Sequence, residues 1–216
     1  WKLVQSSLSD PDKYVVTFST QHSIGWRFYP SWLQALETSY GPIVSRLRAD
    51  DLPNCVEDLE NGNVDFVIAY ENDHSLTIPT LTELESLTIG SDVLVPVCKR
   101  TSDGKPIFNL DKSNGLPIPY LRFGDAAPIG QFVEKLLQSR KAHNRLTVVY
   151  ENTMSGALRV RSRDGTGVAW LPQSLIKPDL EAGFLAPAGN SDWSINLDIC
   201  LYRQKSSAIP LTEKLW

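Results

Sequence analysis

Methionine is almost absent: Met154 is the only one in 216 residues. Cysteine is scarce as well. Cys55, Cys98 and Cys200 are an odd, scattered set with neither metal spacing nor a disulfide framework. A reducing, cytoplasmic home is therefore expected. The three histidines, His22, His74 and His143, also lack metal-ligand spacing. No apolar run approaches the ~20 residues that span a bilayer, so no membrane partner is expected. No basic-then-apolar leader opens the chain, so no signal peptide is expected. No methionine opens it either, as in a processed chain or one cut from something longer. Positive charge is short: 21 Lys and Arg against 25 Asp and Glu give a net charge of −4. Such a balance makes the chain a poor candidate to grip DNA by itself. There is no Gly-x-Ser-x-Gly elbow, no phosphate loop and no dinucleotide fingerprint. Ser23 beside His22 is not a dyad, because sequence neighbours rarely face each other correctly. Catalysis, a bound metal and a cofactor are therefore not expected.

What is present is ordinary globular composition, 42% hydrophobic and 21% charged. The length suits one to two domains. Residues 1–12 are a polar lead-in. The stretch 13–19 is rich in β-branched and aromatic residues and reads as a buried strand. Trp26, Tyr29, Trp32, Leu33, Leu36 and Tyr40 then recur at helical spacing. Pro30 marks the first turn of the regular helix, and Gly41-Pro42 stops it. Residues 43–48 read as a strand, Leu52, Cys55, Val56 and Leu59 as a helix face, and 64–70 as a strand covered on both sides. This alternation implies parallel strands with crossover helices. Residues 84–89 and 93–98 read as two strands around a tight turn at Gly90-Ser91-Asp92.

After a loop-rich stretch over 99–118 a second series begins. It runs strand 118–122, helix face Ile129 to Leu137, strand 146–150, a short helix carrying Met154, Ala157, Leu158 and Arg161, and strand 167–170. Pro172 opens a further helix. A last strand over 195–202 and a terminal helix over 209–215 could return to the first half. The expected class is α/β, with two Rossmann-like subdomains and a ligand cleft between them. The subdomains are 13–95 plus 195–216, and 96–194.

Open α/β sheets bind ligands at the carboxyl ends of their strands, and clefts between domains are favoured sites. The loops to search are therefore Thr20-Gln21-His22-Ser23, Tyr70-Glu71-Asn72, Arg122-Phe123-Gly124-Asp125 and Glu151-Asn152-Thr153. Each lies just before a helix start, where free N–H groups and the dipole suit an anion such as a carboxylate.

Several runs together resemble the effector-binding domain of LysR-type transcriptional regulators. They are Tyr14-Val-Val-Thr-Phe-Ser19, His22-Ser23-Ile-Gly25, Phe28-Tyr-Pro30-Ser-Trp-Leu33, Val56 to Ile68 with Gly62 and Asp65, and Gly165-Thr-Gly167-Val-Ala-Trp170-Leu-Pro172. Their order and spacing cover nearly the whole chain. His22-Ser23, Leu94 to Cys98 and Met154-Ser155 are most similar to a branch containing a hypochlorite-responsive regulator. A methionine-based sensor would use several methionines, and this chain has one. The resemblance implies a periplasmic-binding-protein type 2 fold, a small-molecule effector and control of transcription. It also implies promoter DNA gripped by an N-terminal helix-turn-helix domain absent from this chain, with residues 1–12 as the end of a linker. Homodimers or homotetramers are implied too. They fit the aromatic load of helix 25–40, which carries Trp26, Tyr29 and Trp32: the side that does not cover the sheet, with Phe28 on a flanking face, would leave a patch for a partner's second half. The alternative on the same architecture is the solute-binding protein of a transport system.

The expected ligand-binding residues are Thr20, Gln21, His22, Ser23, Tyr70, Arg122, Phe123, Asn152, Thr153 and Met154. Each has a plainer role to weigh. Ser23 caps the following helix or touches effector, and the two coexist. Asn152 and Thr153 repeat that choice. His22 is an exposed loop histidine or an anion contact. Arg122 offers its fork to a carboxylate ligand or to a surface acid. Phe123 walls a cavity or packs between halves. Met154 is a core gap-filler before it is a redox switch. Trp170 and the cysteines are core. Arg159, Arg161 and Arg163 are a solvated face or a subunit contact.

Overall fold

The computed structural model describes residues 15–72, 83–112, 116–125 and 127–205. The lead-in 1–12 and the helix expected over 209–215 lie outside the described residues, as does His74. The chain divides into two compact units. Unit 1 takes the described residues within Trp1–Ala69, Ile78–Ile89 and Cys200–Trp216, and unit 2 those within Tyr70–Thr77 and Gly90–Ile199.

In unit 1, β1 (Val16–Thr20) pairs in parallel with β2 (Ser45–Ala49) on one side and β3 (Phe66–Glu71) on the other. The crossovers are helical: α1 (His22–Arg27), α2 (Tyr29–Tyr40) and α3 (Leu52–Glu60). β3 is buried from Phe66 to Tyr70, as a parallel strand covered on both faces must be. One side packs Leu52, Cys55 and Leu59 of α3 against Val67 and Ala69. The other carries an aromatic cluster, with Phe18 stacked on Phe66 at 5.4 Å and met edge-on by Tyr29 at 5.3 Å.

The single helix expected over Trp26–Tyr40 is two helices, broken at Phe28. Pro30 has no N–H and its ring blocks the preceding turn, so the helix restarts at Tyr29. The break changes what is buried. α1 buries Ser23 and Ile24, and Trp26 lies roughly 200° around the helix from Ile24. Trp26 is accordingly 62% exposed.

Unit 2 is built on the later part of β4 (Leu84–Lys99), with β7 (Ala169–Pro172) and β8 (Leu185–Pro187) both antiparallel to it. A smaller parallel pair joins β5 (Ile118–Phe123) to β6 (Leu146–Asn152). The helices are α4 (Pro128–Ser139), α5 (Ser155–Asp164) and α6 (Gln173–Glu181). β9 (Ile195–Gln204) completes the order. Trp170 anchors the core at 1% exposure, with its indole N–H donating to the Trp193 carbonyl at 2.8 Å and Tyr120 edge-on at 5.6 Å.

The tight turn expected at Gly90-Ser91-Asp92 is absent, because β4 runs extended through it. Asp92 is a turn former when its carboxylate bonds its own backbone. Here that carboxylate also takes bonds from the hydroxyls of Ser174 at 2.5 Å and Tyr70 at 3.3 Å. Those distant partners hold the strand straight.

Candidate functional site

The first corner follows β1. Thr20 is fully buried, and its hydroxyl donates to the Ile68 carbonyl at 2.7 Å. It therefore ties β1 to β3 and has no hydrogen left to donate. Gln21 is the N-cap of α1 but forms no side-chain cap bond. Ser23 lies inside the helix, so the expected Ser23 cap is not formed. The extended backbone at Gln21 starts the helix two residues earlier than the side-chain pattern suggests. Ser23 is only 8% exposed, and its hydroxyl bonds no described residue. His22 is exposed beside it.

The second corner is at the ends of β5 and β6. Their register sets Phe123 opposite Asn152 and Arg122 opposite Glu151. The Gly124 N–H donates to the Asn152 carbonyl, joining the two ends. The Asn152 side chain accepts from the Met154 N–H at 2.8 Å and donates to the Tyr150 hydroxyl at 3.1 Å. Both the oxygen and the nitrogen of that amide are engaged in shaping the entry to α5. Thr153 packs its methyl toward Gly124, where a Cβ would come within 3.2 Å. Met154 is 49% exposed, against the core role expected of it. It is the N-cap of α5 in extended backbone, a position that turns a side chain away from the packed face of the helix.

Arg122 is held by two acids. Its Nε donates to Glu151 at 2.9 Å and an Nη to Asp125 at 2.6 Å. Burial is the largest single influence on its pKa and pulls it down, but the hydrogen bond and charge of Glu151, with the charges of Asp125 and Glu134, together hold it above the ordinary value. An incoming anion at Arg122 would displace one carboxylate and face the others. Phe123 is buried at 3% and lies beside Arg122 in the wall of a hollow of about 370 Å³ that also includes Glu134 and Lys135. Tyr70, the remaining candidate in unit 2, is 1% exposed and its hydroxyl is bonded to Asp92. Thus Arg122, Phe123, Asn152, Thr153 and Met154 come together, and Thr20 to Ser23 come together separately.

Two features escaped the sequence reading. Arg159 is not on a solvated face: it forms a two-pronged pair with Asp179 at 2.5 and 3.0 Å, and Arg163 reaches the same carboxylate at 3.5 Å. Asp179 is 2% exposed because α6 packs it inward. The Tyr70–Asp92–Ser174 network joins residues 22 and 82 positions apart, and no local pattern carries that signal. Among the described residues no group of three His, Cys, Asp or Glu side chains could hold a metal ion. No helix among them is long and apolar enough to cross a membrane.

The family model for the LysR substrate binding domain matches residues 9–216. The HTH-type transcriptional regulator YjiE of Escherichia coli K12 is 22% identical over 208 residues, covering 96% of this chain. The chain spans 65% of that relative's length. Among solved structures, full-length HypT from Salmonella typhimurium, a hypochlorite-specific LysR-type regulator, superposes with a TM-score of 0.79 at 20% identity. It covers all of this chain and 70% of the other. Vibrio fischeri DarR in complex with DNA gives a TM-score of 0.78 at 25% identity, again over the whole of this chain and 70% of that one.

Proposed function

Because the chain belongs to the LysR substrate-binding domain family, we propose that it is the effector-sensing part of a transcription regulator acting in the cytoplasm. The family's role is regulatory and not enzymatic, and these relatives are regulators rather than transport proteins. DNA binding is assigned to a helix-turn-helix segment outside this chain. Support comes from the 65% coverage of YjiE, a protein named for such a segment, and from the net charge of −4, which supplies no phosphate-neutralising surface.

One observation carries the effector reading. At the corner after β1, the Ser23 hydroxyl is uncommitted, while the neighbouring Thr20 hydroxyl has given its one hydrogen to the Ile68 carbonyl. A hydroxyl with no protein partner at the start of a helix is free to bond a ligand, and a ligand that bonds it gains a hydrogen bond without breaking one inside the protein. We assign Gln21, His22 and Ser23 in unit 1, and Phe123, Thr153 and Met154 in unit 2, to effector contact. Thr20, Arg122 and Asn152 hold those corners in shape, and Tyr70 is committed to Asp92. The two carboxylates on Arg122 favour a neutral or hydrogen-bonding group there over a bare anion. A melting screen of small carboxylic and aromatic acids, with their amides, tests this. A ligand at 100 times its dissociation constant adds about 2.7 kcal/mol. Its effect should shrink in Ser23→Ala. Stabilisation by no compound, or equal stabilisation of Ser23→Ala, would refute the assignment.

Assembly into homodimers or homotetramers belongs to the same reading. α2 is twelve residues long yet fully buries only Tyr29, leaving Trp32, Leu33 and Leu36 half-covered and Tyr40 exposed. Such a face suits a partner surface. Sedimentation showing only a 24.1 kDa species up to about 100 μM would exclude pairing by this chain alone.

A further inference from the structure

Unit 2 contains a second feature that neither corner uses. Lys99 ends β4, Arg100 follows it, and Arg163 lies in the last turn of α5. Together with Val160, Asp164 and Phe184 they line a hollow of about 340 Å³, the size of a small-ligand pocket. Three cations face one lining carboxylate in a chain whose overall charge is −4.

Arg100 is positioned with unusual care for an exposed arginine. Its backbone N–H donates to the Phe184 carbonyl at 3.1 Å. Its guanidinium lies against two glycines with left-handed backbone. A Cβ at Gly104 (φ +88) would fall 3.0 Å from Nη2, and one at Gly183 (φ +74) 2.6 Å from Nη1. Both glycines are required: they supply the positive φ, and they leave the room the fork occupies. Such a fork has already lost much of the freedom that a ligand would otherwise have to freeze. Yet among the described residues neither Arg100 nor Lys99 forms an ion pair. Arg163 is shared between a long contact to Asp179 at 3.5 Å and the face of Phe184 at 4.3 Å. The apolar side of the hollow is open, with Phe184 52% and Val160 56% exposed.

We propose that this hollow is a second ligand site, which takes a small organic anion. Its oxyanion head would bond Arg100 and Lys99, and its planar apolar body would lie on Phe184 and Val160. A pre-set guanidinium fork matches two oxygens of a carboxylate. The apolar wall distinguishes an organic anion from a bare inorganic one. The site is separate from the effector corners and stands or falls without them.

The test is a titration of the isotope-labelled 216-residue chain with benzoate at low salt, read by the amide signals of its glycines. Signals of Gly104, Gly165 and Gly183 should shift along a saturating curve, while Gly25 and Gly124, beside the effector corners, stay still. Arg100→Gln should weaken benzoate about tenfold, as loss of a two-pronged charged bond does. If that variant does not fold, Lys99→Gln with Arg163→Gln carries the test and should weaken benzoate likewise. Inorganic phosphate is the second probe. It should bind more weakly than benzoate and be indifferent to Phe184→Ser. Several results would overturn the proposal: shifts that never saturate, movement of Gly25 or Gly124 instead, or unchanged affinity in the charge variants. Phosphate binding as tightly as benzoate would overturn it too.

Discussion

Replacing Asp179 by alanine removes the acceptor that holds α5 to α6. The carboxylate is 3% exposed, and Arg159, its bidentate partner, is 19% exposed. The aspartate's hydrogen bond is the main cause that keeps the Arg159 guanidinium above its ordinary pKa, against the opposing cost of burial. Breaking a buried pair from one side costs about 3–5 kcal/mol, because the remaining charge stays desolvated and unpaired. Arg163 adds little, since it is 38% exposed and 3.5 Å away, and exposed pairs contribute below about 1 kcal/mol. We therefore expect Asp179→Ala to cost about 3–4 kcal/mol. For a chain of this size each kcal/mol moves the melting temperature by about 2–4 °C, so a drop of roughly 6–16 °C follows. Melting followed by far-ultraviolet circular dichroism measures it. Arg163→Ala should fall by no more than about 4 °C. The pair Asp179→Leu with Arg159→Met should recover most of the loss, because apolar groups of similar volume replace buried ions at little cost. A drop below about 3 °C for Asp179→Ala, or no recovery in the double variant, would refute the reasoning.

Gly167 and Gly156 should respond oppositely to the same change. A Cβ on Gly167 would sit 2.6 Å from the Pro119 carbonyl oxygen, where the Val168 N–H bonds at 2.8 Å, so Gly167→Ala should cost about 1–3 kcal/mol by denaturant melting. A Cβ on Gly156 in α5 meets nothing within 4 Å, and Gly156→Ala should gain about 0.4–1 kcal/mol. Glu71 supplies a pH dependence. Burial, and then the charge of Asp198, push its carboxyl pKa up. A raised carboxyl favours the folded state while protonated and loses that favour as pH rises through the folded value. Glu71→Gln should thus gain most over the parent at neutral pH, with the gain fading below the ordinary carboxylate range, as melting at several pH values will show.

The alternation of strand and helix was legible because it rests on local periodicity. The run Phe66 to Tyr70 is apolar at every position, and Ile129, Phe132, Val133 and Leu137 recur at helical spacing. Trp170 and the three cysteines read as core and are buried. The glycine and Leu-Pro signature around Gly167 and Pro172 carried the family, and it does so through backbone geometry that only glycine permits. Other features depended on neighbours remote in sequence. Asp92 looks like a turn residue until Tyr70 and Ser174 take its carboxylate. Arg159 looks solvated until α6 brings Asp179 beneath it. Met154 looks like a gap-filler until the start of α5 turns it outward. Arg100 looks like one more surface charge until Gly104 and Gly183 close on its fork. Secondary structure follows from what a residue's immediate neighbours allow. Whether a charge is paired, or a hydroxyl left idle, is decided by atoms that only folding brings within 3 or 4 Å.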